Sequence, residues 1–159
     1  MNGIPVTFVE ADDSLSVSAL EAKVLGFGYV DEIRNRGVAP LRPKGRFLVV
    51  GYRVTNKSEH PIGFLHPVLR SDSGRLPESP DAAAMLPRSR DLPLPAGATL
   101  EARAAFDVDS GFDPREAAFM LPAEREGRGE PTELLSQGLI RMAKASDRLP
   151  PAPRRQAGR

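Results

Sequence analysis

Five basic side chains, Arg34, Arg36, Arg42, Lys44 and Arg46, fall within residues 34–46, RNRGVAPLRPKGR, with no acid among them, although Asp31 and Glu32 lie just before. Cations gathered on a stretch rich in Gly and Pro make a candidate anion-binding loop, suited to a phosphate, a wall polymer or a lipid headgroup. An ordinary solvated loop has the same composition. Asp107, Asp109 and Asp113, with Gly111 between them, form the other candidate, because alternate carboxylates can point at one ion. Their register excludes a helix-loop-helix calcium site: Gly111 is fifth and the twelfth position is Ala118, not Glu. What stays open is a calcium site at a sandwich edge or a plain succession of strand end and turns.

The remaining chemistry-bearing residues are scattered. His60 and His66 each precede a proline, with Glu59 nearby, and they lack the helical or hairpin spacing of a metal pair. Met85, Met120 and Met142 do not share the spacing of a copper cluster and read as core filling. Asn56-Lys57-Ser58 matches a glycosylation acceptor in form, but Asn56 reads better as a turn former whose side chain caps backbone groups. Gly26-Phe27-Gly28 lacks the third glycine and following helix of a dinucleotide fingerprint. No triad, phosphate loop or paired-carboxylate spacing emerges, so the expectation is a non-enzymatic protein with no catalytic, cofactor-binding or metal residues assigned.

A chain of 159 residues fits one domain plus tails. With 22 basic and 21 acidic residues the formal charge is +1, which supplies no global field to recruit nucleic acid or an anionic membrane. Cysteine is absent, and that removes disulfides, thiolate metal sites and cysteine nucleophiles together. No window has the apolar length of a spanning helix, and Met1-Asn2-Gly3 does not open a signal peptide. The protein is therefore expected either in the cytoplasm or outside it with a leader absent from this chain.

The elements that must position these groups are strands. Residues 45–58, GRFLVVGYRVTNKS, place Leu48, Val50, Tyr52 and Val54 on one face, with Phe47 and Val49 on the other before Gly51 and Arg53. One face is buried throughout and the other over its first half. Leu100, Ala102, Ala104, Phe106 and Val108 alternate with Thr99, Glu101, Arg103, Ala105 and Asp107, the pattern of a strand with one wet side. Parity slips from Leu15, Val17 and Ala19 to Leu20, Ala22 and Val24, which predicts a bulged strand. Residues 71–75 read as a hairpin turn with Gly74 at positive φ, and residues 81–85 as one helical turn capped by Asp81. Residues 132–144 fit either a helix capped by Thr132 or a closing strand beginning near Gly138. From Ser146 onward Pro and Arg dominate, predicting a disordered tail over residues 146–159 behind a domain of residues 1–145.

The stretch Gly45-Arg46-Phe47-Leu48-Val49-Val50 leading to Val54-x-Asn56-x-Ser58 is followed by Asp72-Ser73-Gly74-Arg75, by Leu94-Pro95-Ala96-Gly97 and by Phe106-Asp107-Val108. In order and spacing, over residues 15–121, this resembles the bacterial immunoglobulin-like family called domain of unknown function 4352. Asp109 departs from the proline usual in that family, and the opening is altered. The resemblance implies an all-β fold, an immunoglobulin-like antiparallel β-sandwich of about seven to nine strands. It also implies an extracytoplasmic setting, often as a lipoprotein or tethered by a membrane helix, and it brings no catalytic residues. The resulting expectation is a binding or accessory module that contacts a protein or cell-envelope component through loops or a sheet edge. The alternative is an ion- or anion-binding sandwich using one of the two charged candidates.

Overall fold

β4 (Arg46–Asn56) runs between β3 (Leu20–Val30) and β8 (Thr99–Val108), antiparallel to both. The computed structural model describes residues 6–17, 20–35, 37–61, 63–64, 67–86, 94–125 and 133–150. With β2 (Leu15–Val17) these strands form a four-stranded sheet in the order β2-β3-β4-β8. The facing sheet has the order β1 (Val6–Glu10), β10 (Glu133–Arg141), β9 (Ala118–Arg125), β6 (Val68–Ser71) and β7 (Gly74–Pro77), with β5 (Gly63–Phe64) also pairing with β9.

The chain crosses between sheets after β1, after β4, after β7 and after β8. These crossings put β4 beside β8 in one sheet and β6 beside β9 in the other. That is the Greek-key arrangement of an immunoglobulin-like sandwich. The expected fold class holds, with two refinements: the described residues contain ten strands, and β1 runs parallel to β10.

Leu48, Val50, Tyr52 and Val54 of β4 meet Ala102, Ala104, Phe106 and Val108 of β8 in the core between the sheets. Tyr52 packs on Phe119 of β9 with ring centroids 5.2 Å apart, and Met142 closes the same core. Met120 is also buried. The outward face of β4 is covered too, because Phe47 and Val49 lie in a second apolar cluster with Ile33, Ala82 and Ala105. Its lid comes from three places: the bridge between Ile33 and Leu41, the helix α1 (Pro80–Met85) and Leu149.

Several local expectations change. The parity slip after Val17 marks a reversal rather than a bulge, because Val17 pairs with Leu20 and β2 folds back on β3. The bulge lies further on, between Val24 and Gly26. Ser79, not Asp81, caps α1, its hydroxyl accepting from the Ala82 N–H at 3.3 Å. Of the two readings for residues 132–144, the strand is realised as β10, followed by a 3-10 turn (Met142–Lys144). Ser71 pairs with Gly74, which has φ +122°, so the expected hairpin forms.

The expected boundary at residue 145 also moves. Phe27 N–H donates to the Ser146 carbonyl at 2.9 Å, Leu149 is half-buried, and Pro150 lies over Gly51. Apolar Leu149 and Pro150 sit on exposed sheet surface that a purely polar tail would have left wet. The rest of the expected tail, residues 151–159, falls outside the described residues.

The covered outer face makes a measurable claim. Phe47→Ala should destabilise the protein by about 3–5 kcal/mol in chemical denaturation, the cost of emptying a buried aromatic site. A loss near 0.5 kcal/mol, typical of a surface substitution, would mean that this face is wet.

Candidate functional site

The basic loop is a built structure. Ile33 N–H donates to the Leu41 carbonyl at 2.9 Å and Leu41 N–H to the Ile33 carbonyl at 2.8 Å, and both side chains pack on the outer apolar cluster. At its far end the Asp107 carboxylate accepts from the backbone N–H groups of Lys44 at 2.7 Å and Gly45 at 2.9 Å. Gly45 is required at that point, because a Cβ there would strike the Val108 carbonyl oxygen. The loop is thus pinned at its neck by apolar contacts and at its base by a carboxylate.

Its charges are arranged around Glu32. The Glu32 Oε1 accepts from Arg34 Nε at 2.7 Å, and Oε2 lies 3.8 Å from Arg42 Nε. Side chains of Arg34 and Arg42 are 73% and 81% exposed, so the cationic end of each pair stands in water and the pairs contribute little to stability, although Glu32 is 24% exposed and its Oε2 is shielded without a hydrogen-bond partner among the described residues. Arg46 lies over the Tyr29 ring, 3.8 Å from its centroid, and Lys44 is exposed. Arg36 falls outside the described residues. Residues 31–46 hold five basic against two acidic side chains, a formal +3 on one anchored loop. Glu32 and Tyr29 were not among the sequence candidates: the first reads as a flanking acid and the second as one residue of an extended piece, sharing a face with Phe27, and only the folded path brings them under the arginines.

The aspartate candidate does not assemble. Asp107 is committed to the Lys44 and Gly45 amides, and Asp113 accepts from the Arg115 N–H at 3.0 Å, capping a 3-10 turn (Pro114–Glu116). Asp109 is exposed, and its carbonyl accepts from Phe112 N–H at 3.0 Å. Among the described residues no three His, Asp or Glu side chains gather where they could hold a metal ion. His60 is exposed and enters the structure through its backbone, while His66 lies outside the described residues.

Asn56 is 0% exposed and fully used. Its Nδ2 donates to the carbonyls of His60 at 2.7 Å and Leu94 at 2.9 Å, while Oδ1 accepts from Ser58 N–H at 2.9 Å and Ser58 Oγ at 2.7 Å. The capping reading therefore holds, and an amide nitrogen so placed cannot accept a glycan.

Two outcomes test these assignments. Asn56→Ala should cost about 2–4 kcal/mol in denaturant unfolding, since it strands buried carbonyls and an amide. Millimolar calcium or excess chelator should move the Tm by less than about 1 °C, because no cation site is assembled among the described residues to link to folding.

No family model matches the chain, and no curated protein matches it. Solved structures do. A conserved hypothetical protein of Bacillus anthracis aligns over 80% of this chain and 94% of its own at 12% identity, with a TM-score of 0.55. The yjhA protein of Bacillus subtilis aligns over 70% and 79% at 13% identity, with a TM-score of 0.52. An uncharacterized β-sandwich protein of Clostridium difficile aligns over 89% and 97% at 8% identity, also with a TM-score of 0.52. At such identities the likeness concerns the fold, and all three share this chain's sandwich.

Proposed function

We propose that this protein is a non-enzymatic binding module of the bacterial cell envelope, related to the domain of unknown function 4352 family. In this reading it contacts an anionic envelope polymer through the loop over residues 31–46. The observation that carries the proposal is the pairing of rigid anchorage with exposed charge. Ile33 and Leu41 fasten the neck, Asp107 fastens the base, and Arg34, Arg42, Lys44 and Arg46 stand in solvent. Preorganised cations lose less freedom on meeting a polyanion than cations on a floppy segment do.

Glu32 makes the loop adaptable. An incoming phosphate can take over the forked donors of Arg34 and Arg42 from a single carboxylate, and the exposed pairs it breaks are individually weak. The chemistry required is recognition alone, with no bond made or broken. The envelope setting rests on the sequence resemblance, whose motifs coincide with β4, the β6–β7 turn and β8.

Replacing Arg34, Arg42 and Lys44 together by Glu should weaken binding to a purified phosphate-bearing wall polymer by about tenfold or more at low salt, with the wild-type affinity itself falling as salt rises. Unchanged affinity in a folded triple variant would remove the loop from consideration.

A further inference from the structure

The outward face of the four-stranded sheet carries a trough. In register, Gly26 of β3 pairs with Gly51 of β4, and Gly51 with Arg103 of β8; the next outward row is Gly28, Val49 and Ala105. Two glycines side by side leave a channel running across the strands, and residues 146–150 lie in it. A Cβ on Gly26 would strike the Arg148 carbonyl oxygen, one on Gly28 would come within 2.8 Å of Leu149 Cδ1, and one on Gly51 within 3.1 Å of Pro150 Cγ. Glycine inside a strand costs about 0.5–1 kcal/mol relative to alanine. Gly26 has a local reason of its own, since it sits at the bulge with φ +157°, but Gly28 and Gly51 face outward and nothing in the core between the sheets asks for glycine there.

The polarity of the contacts is one-sided. Phe27 N–H donates to the Ser146 carbonyl, Arg103 Nη2 donates to the Pro150 carbonyl, and Arg115 Nη1 donates to the carbonyls of Ala143 and Ala145. In these bonds the sandwich supplies donors, and the carbonyl oxygens come from the crossing segment and from Ala143 and Ala145 just before it. Proline, which has a carbonyl and no N–H and is preset for extended backbone, suits such a surface. Arg103 Nε is shielded from water with no hydrogen-bond partner among the described residues, so the trough holds donor capacity the segment does not use. The hold on residues 146–150 is light, since Ser146, Asp147 and Arg148 are exposed and Leu149 is only half-buried.

We propose that this trough is a binding site for an extended peptide carrying an apolar residue followed by proline, and that residues 146–150 fill it in cis. Arg103 reads the carbonyl of that proline, Val49 and Ala105 receive the apolar side chain, and Phe27 N–H takes a carbonyl upstream. A partner segment of this kind enters when the chain's own segment leaves.

The test uses the full-length chain and a fluorescently labelled peptide SDRLPP, the sequence of residues 146–151. Leu149→Asp places a carboxylate against the apolar cluster and releases the segment. The labelled peptide should then bind at least about tenfold tighter than to the wild-type chain, whose trough is filled at an effective concentration on the order of millimolar. Adding Gly51→Val, a strand-favouring change that fills the trough, should abolish that binding with the far-UV spectrum unchanged. The milder Leu149→Ser should give the same gain if Leu149→Asp disturbs folding. Equally weak binding by the wild type and a folded release variant would overturn the proposal. So would a wild-type dimer that Leu149→Asp converts to monomer, which assigns the trough to the segment of a second copy.

Discussion

A strand that is apolar on both faces cannot sit in a sheet with one side in water, and β4 is such a strand. Its inner face, Leu48 to Val54 by twos, builds the core against β8 and the facing sheet. Its outer face, Phe47 and Val49, requires a second cover, and that cover is drawn from three segments distant in sequence: the Ile33–Leu41 neck, α1 and Leu149. Hydrophobic burial on the outer face is therefore what fixes the path of the basic loop, the position of the helix and the entry of the C-terminal segment. The polar half of the same face stays open, with Arg53 paired to Glu101 at 2.8 Å and the hydroxyls of Thr55 and Thr99 at 2.9 Å. The transition falls at Gly51, where apolar cover ends.

At the other end of β4, Asn56 performs the corresponding task with hydrogen bonds. Its side chain binds the carbonyls of His60 and Leu94, and its backbone exchanges bonds with Gly97 and Ala98 at 2.8 and 2.9 Å. A buried amide with every donor and acceptor satisfied favours one loop arrangement, because any other leaves polar groups without water or partner. The two ends of one strand thus organise two loop regions by different means: dispersion and burial at Phe47 and Val49, hydrogen bonding at Asn56.

Periodicity made the sandwich legible. The alternation in residues 99–108 and the two-sided pattern of residues 46–56 correspond to β8 and β4 with the expected faces inward, and even the change of character at Gly51 was readable. What local pattern could not carry was pairing. The slip after Val17 has the same signature whether one strand bulges or two strands reverse, and only the Val17–Leu20 partnership distinguishes them. Likewise Asp107, Asp109 and Asp113 look like a cluster along the chain, yet Asp107 turns to backbone amides more than sixty positions away in sequence. The glycine trough is invisible for the same reason: Gly26 and Gly51 are remote in sequence and become neighbours only through the register of β3 on β4.

These pairings also sort the charged groups by role. Carboxylates that looked available, Asp107 and Asp113, are bound to N–H groups of the chain itself, and Glu101, Glu21 and Glu10 each face a cation across or beside a strand. The arginines divide differently. Arg103 and Arg115 turn their guanidinium groups onto backbone carbonyls of residues 143–150, fixing where the chain leaves the sandwich, whereas the exposed Arg34 and Arg42 share the part-buried Glu32 carboxylate. The Arg34 and Arg42 guanidinium groups are exposed, whereas Arg103 is directed at the carbonyl of a segment that is itself lightly held. The proposed anion recognition therefore rests on the anchored loop, and the proposed peptide recognition rests on the shape of the glycine trough. Both lie against the outer face that β4 could not leave bare.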